Sequence, residues 1–175
     1  MTHLQPIKDP STVTPEGQRK MIYIDGVRQR SAITHADERG TLTEILNSAW
    51  PGYQMPLTYV YQTSVLPGKI RGWVVHYRQT DRLFISQGFL KIVLYDSRPE
   101  SSTFGLINEI YLTEQTRGLL TIPPHVFHAV QNIGTKEAVF INLPTIPYNH
   151  EDPDKYRLPL DTNQIPYQFG GRPGW

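Results

Sequence analysis

Fifteen prolines and 13 glycines cut this chain of 175 residues into short runs, and the segments between them are rich in β-branched and aromatic residues. MIYIDGV, TLTEIL, LTYVYQTSV, IRGWVVHY, RLFISQ, FLKIVLYD, GLINEIYL, LLTIP, HAVQNI and AVFINL all have the length and composition of strands or strand fragments. No segment keeps a capped helical period beyond about two turns. DERGTLTEILNS at 37–48 comes nearest, but its alternating Thr41 and Thr43 and its β-branched content fit a strand at least as well. Many short strands with regular turns predict an all-β sandwich or closed barrel.

The length suits one domain, which we place at 19–169. Residues 1–18 are polar and read as an N-terminal arm, and 170–175 as a flexible tail. From 144 onward the chain is dense in proline and is expected to wrap the barrel as ordered coil, with one helical turn near 153–157. The 17 basic and 16 acidic residues are interspersed, so no general field favours nucleic acid or membrane. There is no cysteine, which removes disulfides and thiolate catalysis and points to the cytoplasm. The N-terminus lacks the apolar core of a signal peptide.

Two stretches carry chemistry. GKIRGWVVHYRQTDRLFISQG at 68–88 has the spacing of the first cupin motif, with Gly68 and Gly88 at its ends and His76 at its second histidine position. Val74 replaces the first histidine and Asp81 the glutamate. PPHVFHAVQN at 123–132 resembles the second motif through Pro123, His128 and Asn132, with His125 in place of glycine. Four ordered blocks bring the likeness closer. DERGTLTE, RGWVVH, LYDSRPESSTFG and IPPHVFHAV make the chain similar to the dTDP-4-dehydrorhamnose 3,5-epimerase family and its dTDP-4-keto-6-deoxyhexose ketoisomerase relatives.

That resemblance implies a double-stranded β-helix, the cupin jelly roll. It also implies a homodimer without cofactor or metal, and a nucleotide-linked keto sugar in the barrel mouth. It assigns Arg39 and Glu44 to the nucleotide, and Arg71 and His128 to the diphosphate or sugar. Arg82 falls near a lysine that steadies an enolate. Asp161 best matches the late aspartate that orients the base. The base itself, a histidine in relatives, is Val74 here, and the tyrosine that reprotonates the other face falls near Asn142. His125, Asn142 and Tyr148 complete the substrate-binding set.

Proton abstraction beside a ketone needs a base within reach of the proton and a donor at the developing enolate oxygen, and valine is neither. Positions 74 and 76 share a strand face ~7 Å apart, so His76 is a candidate relocated base, with His125 reaching from the rim as a second. Two further readings stay open: a non-catalytic sugar-nucleotide-binding barrel, and a divalent-metal site for iron, manganese or zinc built from His76, Asp81 and His128. Each residue also has a plainer use. His76 could be a hydrogen-bonded core histidine, Arg71 and Arg82 surface charges, and Arg39 with Glu44 a salt bridge. Trp73, Val75 and Tyr77 make the opposite face of their strand apolar too, which predicts a subunit interface covering it.

Overall fold

A computed structural model of the chain describes residues 7–17 and 20–170. Parts of the expected arm, and residues 171–175 of the expected tail, lie outside that range. The fold is an all-β jelly roll of two five-stranded antiparallel sheets. The first runs in the order β1 (Arg28–Ser31), β9 (Gly118–Ile122), β6 (Asp81–Gln87), β11 (Ala138–Asn142), β4 (Tyr61–Val65). The second runs β12 (Tyr156–Arg157), β5 (Ile70–Val75), β10 (Val126–Asn132), β7 (Phe89–Asp96), β8 (Ile107–Thr113). A separate hairpin pairs β2 (Thr34–Asp37) with β3 (Gly40–Thr43). The ambiguous stretch at 37–48 is therefore strand in its first half. No helix occurs among the described residues, so none is long and apolar enough to cross a membrane.

The two sheets close on a core in which alternate residues of each strand point inward. Leu83 and Ile85 of β6, Leu90, Ile92 and Leu94 of β7, and Val126 and Val130 of β10 meet in it. Alternation lets one strand serve two layers: Phe84 packs outward beneath Tyr53, Leu119 and Leu143. Gly72 brings β5 hard against β10. Its φ is 150°, and a Cβ there would lie 2.4 Å from the Ala129 Cβ, so neither the backbone nor the space admits a side chain.

Three expectations change. The run at 21–27 is coil with a turn rather than strand, because the Ile24 N–H donates to the Asn108 side chain (2.9 Å) instead of a ladder. Residues 153–157 form no helical turn; Tyr156 and Arg157 pair with Val75 and Val74 as β12. The apolar outer face of β5 is covered by this chain's own C-terminal wrap. Trp73 is fully buried among Leu158, Leu160, Ile165, Tyr167 and Phe169. The face that suggested a second subunit is thus filled from within, and it no longer argues for one.

Candidate active site

A cavity of about 280 Å³ opens at one end of the roll, lined from β4, β5, β6, β10, β11 and the strap around β12. Strand parity sets its walls. Gly72, Val74 and His76 come from β5 and its end, Asp81 and Leu83 from β6, His128 and Val130 from β10, Phe140 and Asn142 from β11. Val74 pairs directly with His128 across the β5–β10 ladder.

Its polar centre is His76, Asp81 and His128, all buried. The Asp81 Oδ2 lies 3.3 Å from the His76 Nε2 and 3.5 Å from the His128 Nε2. Both histidines are aimed by backbone carbonyls. The His76 Nδ1–H donates to the Asp154 C=O, and the His128 Nδ1 faces the Val126 C=O at 3.5 Å. A carbonyl oxygen only accepts, so this polarity puts the ring proton on Nδ1 and turns Nε2 toward the cavity. The Gln79 amide donates to the Asp81 Oδ1 (2.8 Å).

The electrostatics follow from burial and pairing. Burial, the largest influence on His76, disfavours its charge, but the Asp81 hydrogen bond and charge, with the Asp154 carbonyl, outweigh it and raise the imidazole above its usual range. Burial dominates at His128 and pushes it down to about 4, so this ring is neutral at pH 7. Burial also opposes ionisation of Asp81, yet its hydrogen bond to His76, then electrostatic attraction to the two neighbouring imidazoles, hold the carboxyl below the usual carboxylate range. Tyr61 is pushed up to about 12, by burial first and the Asp81 charge second, so its phenol keeps its proton.

Asp154 fastens the strap to this centre. Its carboxylate accepts the N–H groups of Tyr77, Arg78 and Gln79 at 2.8–2.9 Å, while its carbonyl holds His76. The residues after it, Lys155 and Arg157, join Arg71 on the cavity wall, giving three cationic side chains. A second cleft of about 540 Å³ shares Tyr61, His76 and Lys155 with the first and extends past Tyr59, Arg78 and Tyr148.

Of the residues singled out by sequence, His76, Asp81, His128, Arg71 and Asn142 line the cavity, and Tyr148 lines the adjoining cleft. Arg82 does not join them. It sits on the opposite face of β6, and its guanidinium donates to the carbonyls of Leu143 (2.6 Å), Met55 (3.3 Å) and Pro56 (2.6 Å). His125 is exposed at positive φ and its ring stacks on Tyr77, outside both cavities. Asp161 is exposed in an outer groove beside Leu160 and Thr162, away from either histidine. Arg39 pairs with Asp37 on the β2–β3 hairpin, and neither it nor exposed Glu44 lines the cavity. The late aspartate that touches a cavity histidine is Asp154.

Sequence reasoning missed Tyr61, Lys155 and Arg157. The phenol lacking at position 142 enters from β4 instead: the Asn142 Nδ2 donates to the Tyr61 hydroxyl (2.8 Å). Strict alternation of Tyr61, Thr63 and Val65 could have signalled it.

The model for the polysaccharide biosynthesis C-terminal domain family matches residues 35–156, from the hairpin to β12. A probable low-salt glycan biosynthesis epimerase, Agl13, of Haloferax volcanii is 33% identical over 142 residues, covering 81% of this chain and 91% of that protein. The spore coat polysaccharide biosynthesis protein SpsL of Bacillus subtilis is 32% identical over 149 residues, covering 83% and 96%. Among solved structures, a dTDP sugar isomerase from Desulfovibrio desulfuricans G20 superposes with a TM-score of 0.79 at 26% identity, covering 86% of this chain and 94% of that one.

Proposed function

This chain belongs to the polysaccharide biosynthesis C-terminal domain family, among the cupin-fold sugar epimerases and isomerases, and from that premise we propose that it enolises a dTDP-linked 4-keto-6-deoxy sugar. The observation that carries the reading is His76 aimed by Asp154 and backed by Asp81 in a cavity with Arg71, Lys155 and Arg157 on its wall. A keto sugar on a diphosphate needs that combination of a base and cations.

The His76 Nε2 takes the proton from the carbon beside the ketone. The electron pair of that C–H bond moves into the ring, and the carbonyl oxygen becomes an enolate. At 3.3 Å the contact with Asp81 is longer than the ~2.7–2.9 Å of a strong charge-assisted hydrogen bond, and it favours the imidazolium that proton abstraction creates. Asp81 then stabilises the imidazolium. Delivery of a proton to the same carbon from the opposite face, by the Tyr61 hydroxyl on another wall, gives the epimer and leaves a phenolate that regains its proton from solvent; delivery by His76 to C4 instead, as the C3 hydroxyl gives up its own proton, gives the 3-keto isomer. The cations hold the diphosphate, and Tyr148 in the adjoining cleft offers a ring for the base to stack on.

A second reading rests on Val74, which stands where relatives keep their base: the barrel binds the sugar nucleotide without turning it over. Incubation with the dTDP-4-keto-6-deoxy sugar in D2O, followed by NMR, separates the two. Deuterium entering C3 or C5 in the native protein, and reduced at least about 100-fold in His76→Gln, supports enolisation. Tight binding with an unexchanged sugar supports the non-catalytic barrel.

A further inference from the structure

We infer that Asn142 is the positioning residue for the Tyr61 hydroxyl: its side-chain amide sets which way the phenolic proton points and holds the oxygen once that proton has left. The consequence for the sugar rests on the enolisation reading; the hydrogen-bond arrangement does not.

Register is the first ground. Asn142 is the direct partner of Tyr61 across the β11–β4 ladder and of Leu83 across the β11–β6 ladder. Directly opposed residues present their side chains on one face, here the cavity face, where Tyr61, Leu83 and Asn142 all stand.

Polarity is the second. A backbone N–H only donates, and that of Arg82 reaches the Asn142 Oδ1 at 3.3 Å. This donor assigns the amide: oxygen toward Arg82, NH2 toward the Tyr61 oxygen at 2.8 Å. The same amide helps to hold the Asp81 carboxyl low, as a donor does and an amide oxygen does not. The Tyr61 oxygen therefore accepts from Asn142, and among the described residues its hydroxyl has no other hydrogen-bond partner. Its own proton is left for the cavity. Asn142 is buried, so solvent does not compete for the amide.

When Tyr61 protonates the enolate carbon, its O–H bond breaks and the electron pair stays on the phenolate oxygen until solvent returns a proton. The Asn142 N–H is already aimed at that developing charge. Burial first and the Asp81 charge second push the phenol up to about 12, while the Asn142 bond acts against both; Tyr59 and Tyr148 are the other titratable groups it feels.

Full-length protein labelled with fluorotyrosine is titrated by fluorine NMR, and the Tyr61 resonance is the one missing from Tyr61→Phe. Fluorination lowers the phenol, which brings its titration within the range of the folded protein. Asn142→Asp keeps the shape and the Arg82 contact but removes the NH2 group; Asn142→Leu removes both partners. In each, the Tyr61 midpoint should rise by about one to two pH units, the worth of one hydrogen bond to a charged group. Inverted sugar should form at least about tenfold more slowly, while entry of solvent deuterium falls less than about threefold. An unchanged midpoint in both folded variants, or exchange and inversion falling together, overturns the role. Circular dichroism checks folding. Should neither variant fold, protein with isotope-labelled asparagine decides: one side-chain NH2 pair should lose a downfield-shifted proton in Tyr61→Phe, and no such change overturns the bond. If native protein exchanges no deuterium, the enolisation reading fails and the titration still tests the amide.

Discussion

Val74 and His128 are direct partners across the β5–β10 ladder, so the valine at the expected base position stands beside one imidazole and shares a cavity wall with another. The polar centre of the cavity lies just past the end of β5 and across on β6 and β10. His76 gains a carboxylate neighbour in Asp81 and a carbonyl anchor in Asp154.

Tyr61 carries a proton that ordinary pH does not remove, and it reaches the cavity from a different strand than His76. Tyr61→Phe should separate two events. Solvent deuterium should still enter the sugar within about threefold of the native rate, while formation of the inverted product falls at least about tenfold. Product stereochemistry by NMR, set beside the exchange rate, checks it.

Lys155 reaches both the cavity and the adjoining cleft. Lys155→Met should weaken dTDP binding about 10- to 100-fold, the worth of one hydrogen bond to a charged group. Rising salt should narrow the difference. Calorimetry at two ionic strengths measures both effects.

Arg82 is fully buried and donates to three carbonyls of the 55–56 and 143 segments. Arg82→Met should cost about 3 kcal/mol of stability in urea unfolding, because those carbonyls lose their donor. Folded protein should bind dTDP as the native chain does. A large loss of affinity with unchanged stability would instead favour a place at the substrate.

Asp96 is buried against Arg98 (2.7 Å) and accepts the hydroxyls of Ser101 and Thr103. Burial, the largest influence, favours the neutral acid, but the Arg98, Thr103 and Ser101 bonds together hold the carboxyl well below its usual range. The folded value is depressed, so the stability it supplies is full above the unfolded value of about 3.9 and fades as pH falls toward the folded one. Asp96→Asn should be less stable than native by about 3 kcal/mol at pH 7, with the gap closing below pH ~4. Denaturant melts at pH 7, 4 and 3 follow it.

Strand identity was readable where alternation and burial agree. FLKIVLYD is β7 to the residue, because its apolar run is bounded by Gly88 and by the turn after Asp96. The β6 wall was harder. Motif spacing reached Asp81 and Arg82 together, but which one faces the cavity depends on how the turn at 77–80 enters β6, and no local period records that. The strap was hardest. Asp154, Lys155 and Arg157 arrive from a proline-rich return with no periodicity; the Asp154 hydrogen bonds to His76 and the 77–79 turn, and the pairing of Tyr156 and Arg157 with Val75 and Val74, place them. Arg39 and Glu44 were legible as a segment, but the hairpin carries them away from this cavity.

Asp154 ties the chemistry to a segment that follows β1 to β11 in the chain. Every sheet partner needed to close the roll, β12 apart, has been synthesised by residue 142, yet His76 then lacks its carbonyl anchor and two of the three cations are absent. A stop short of the strap removes the His76 anchor, two of the cations and the cover over Trp73 together, so the pocket and the outer face of β5 are lost in one event.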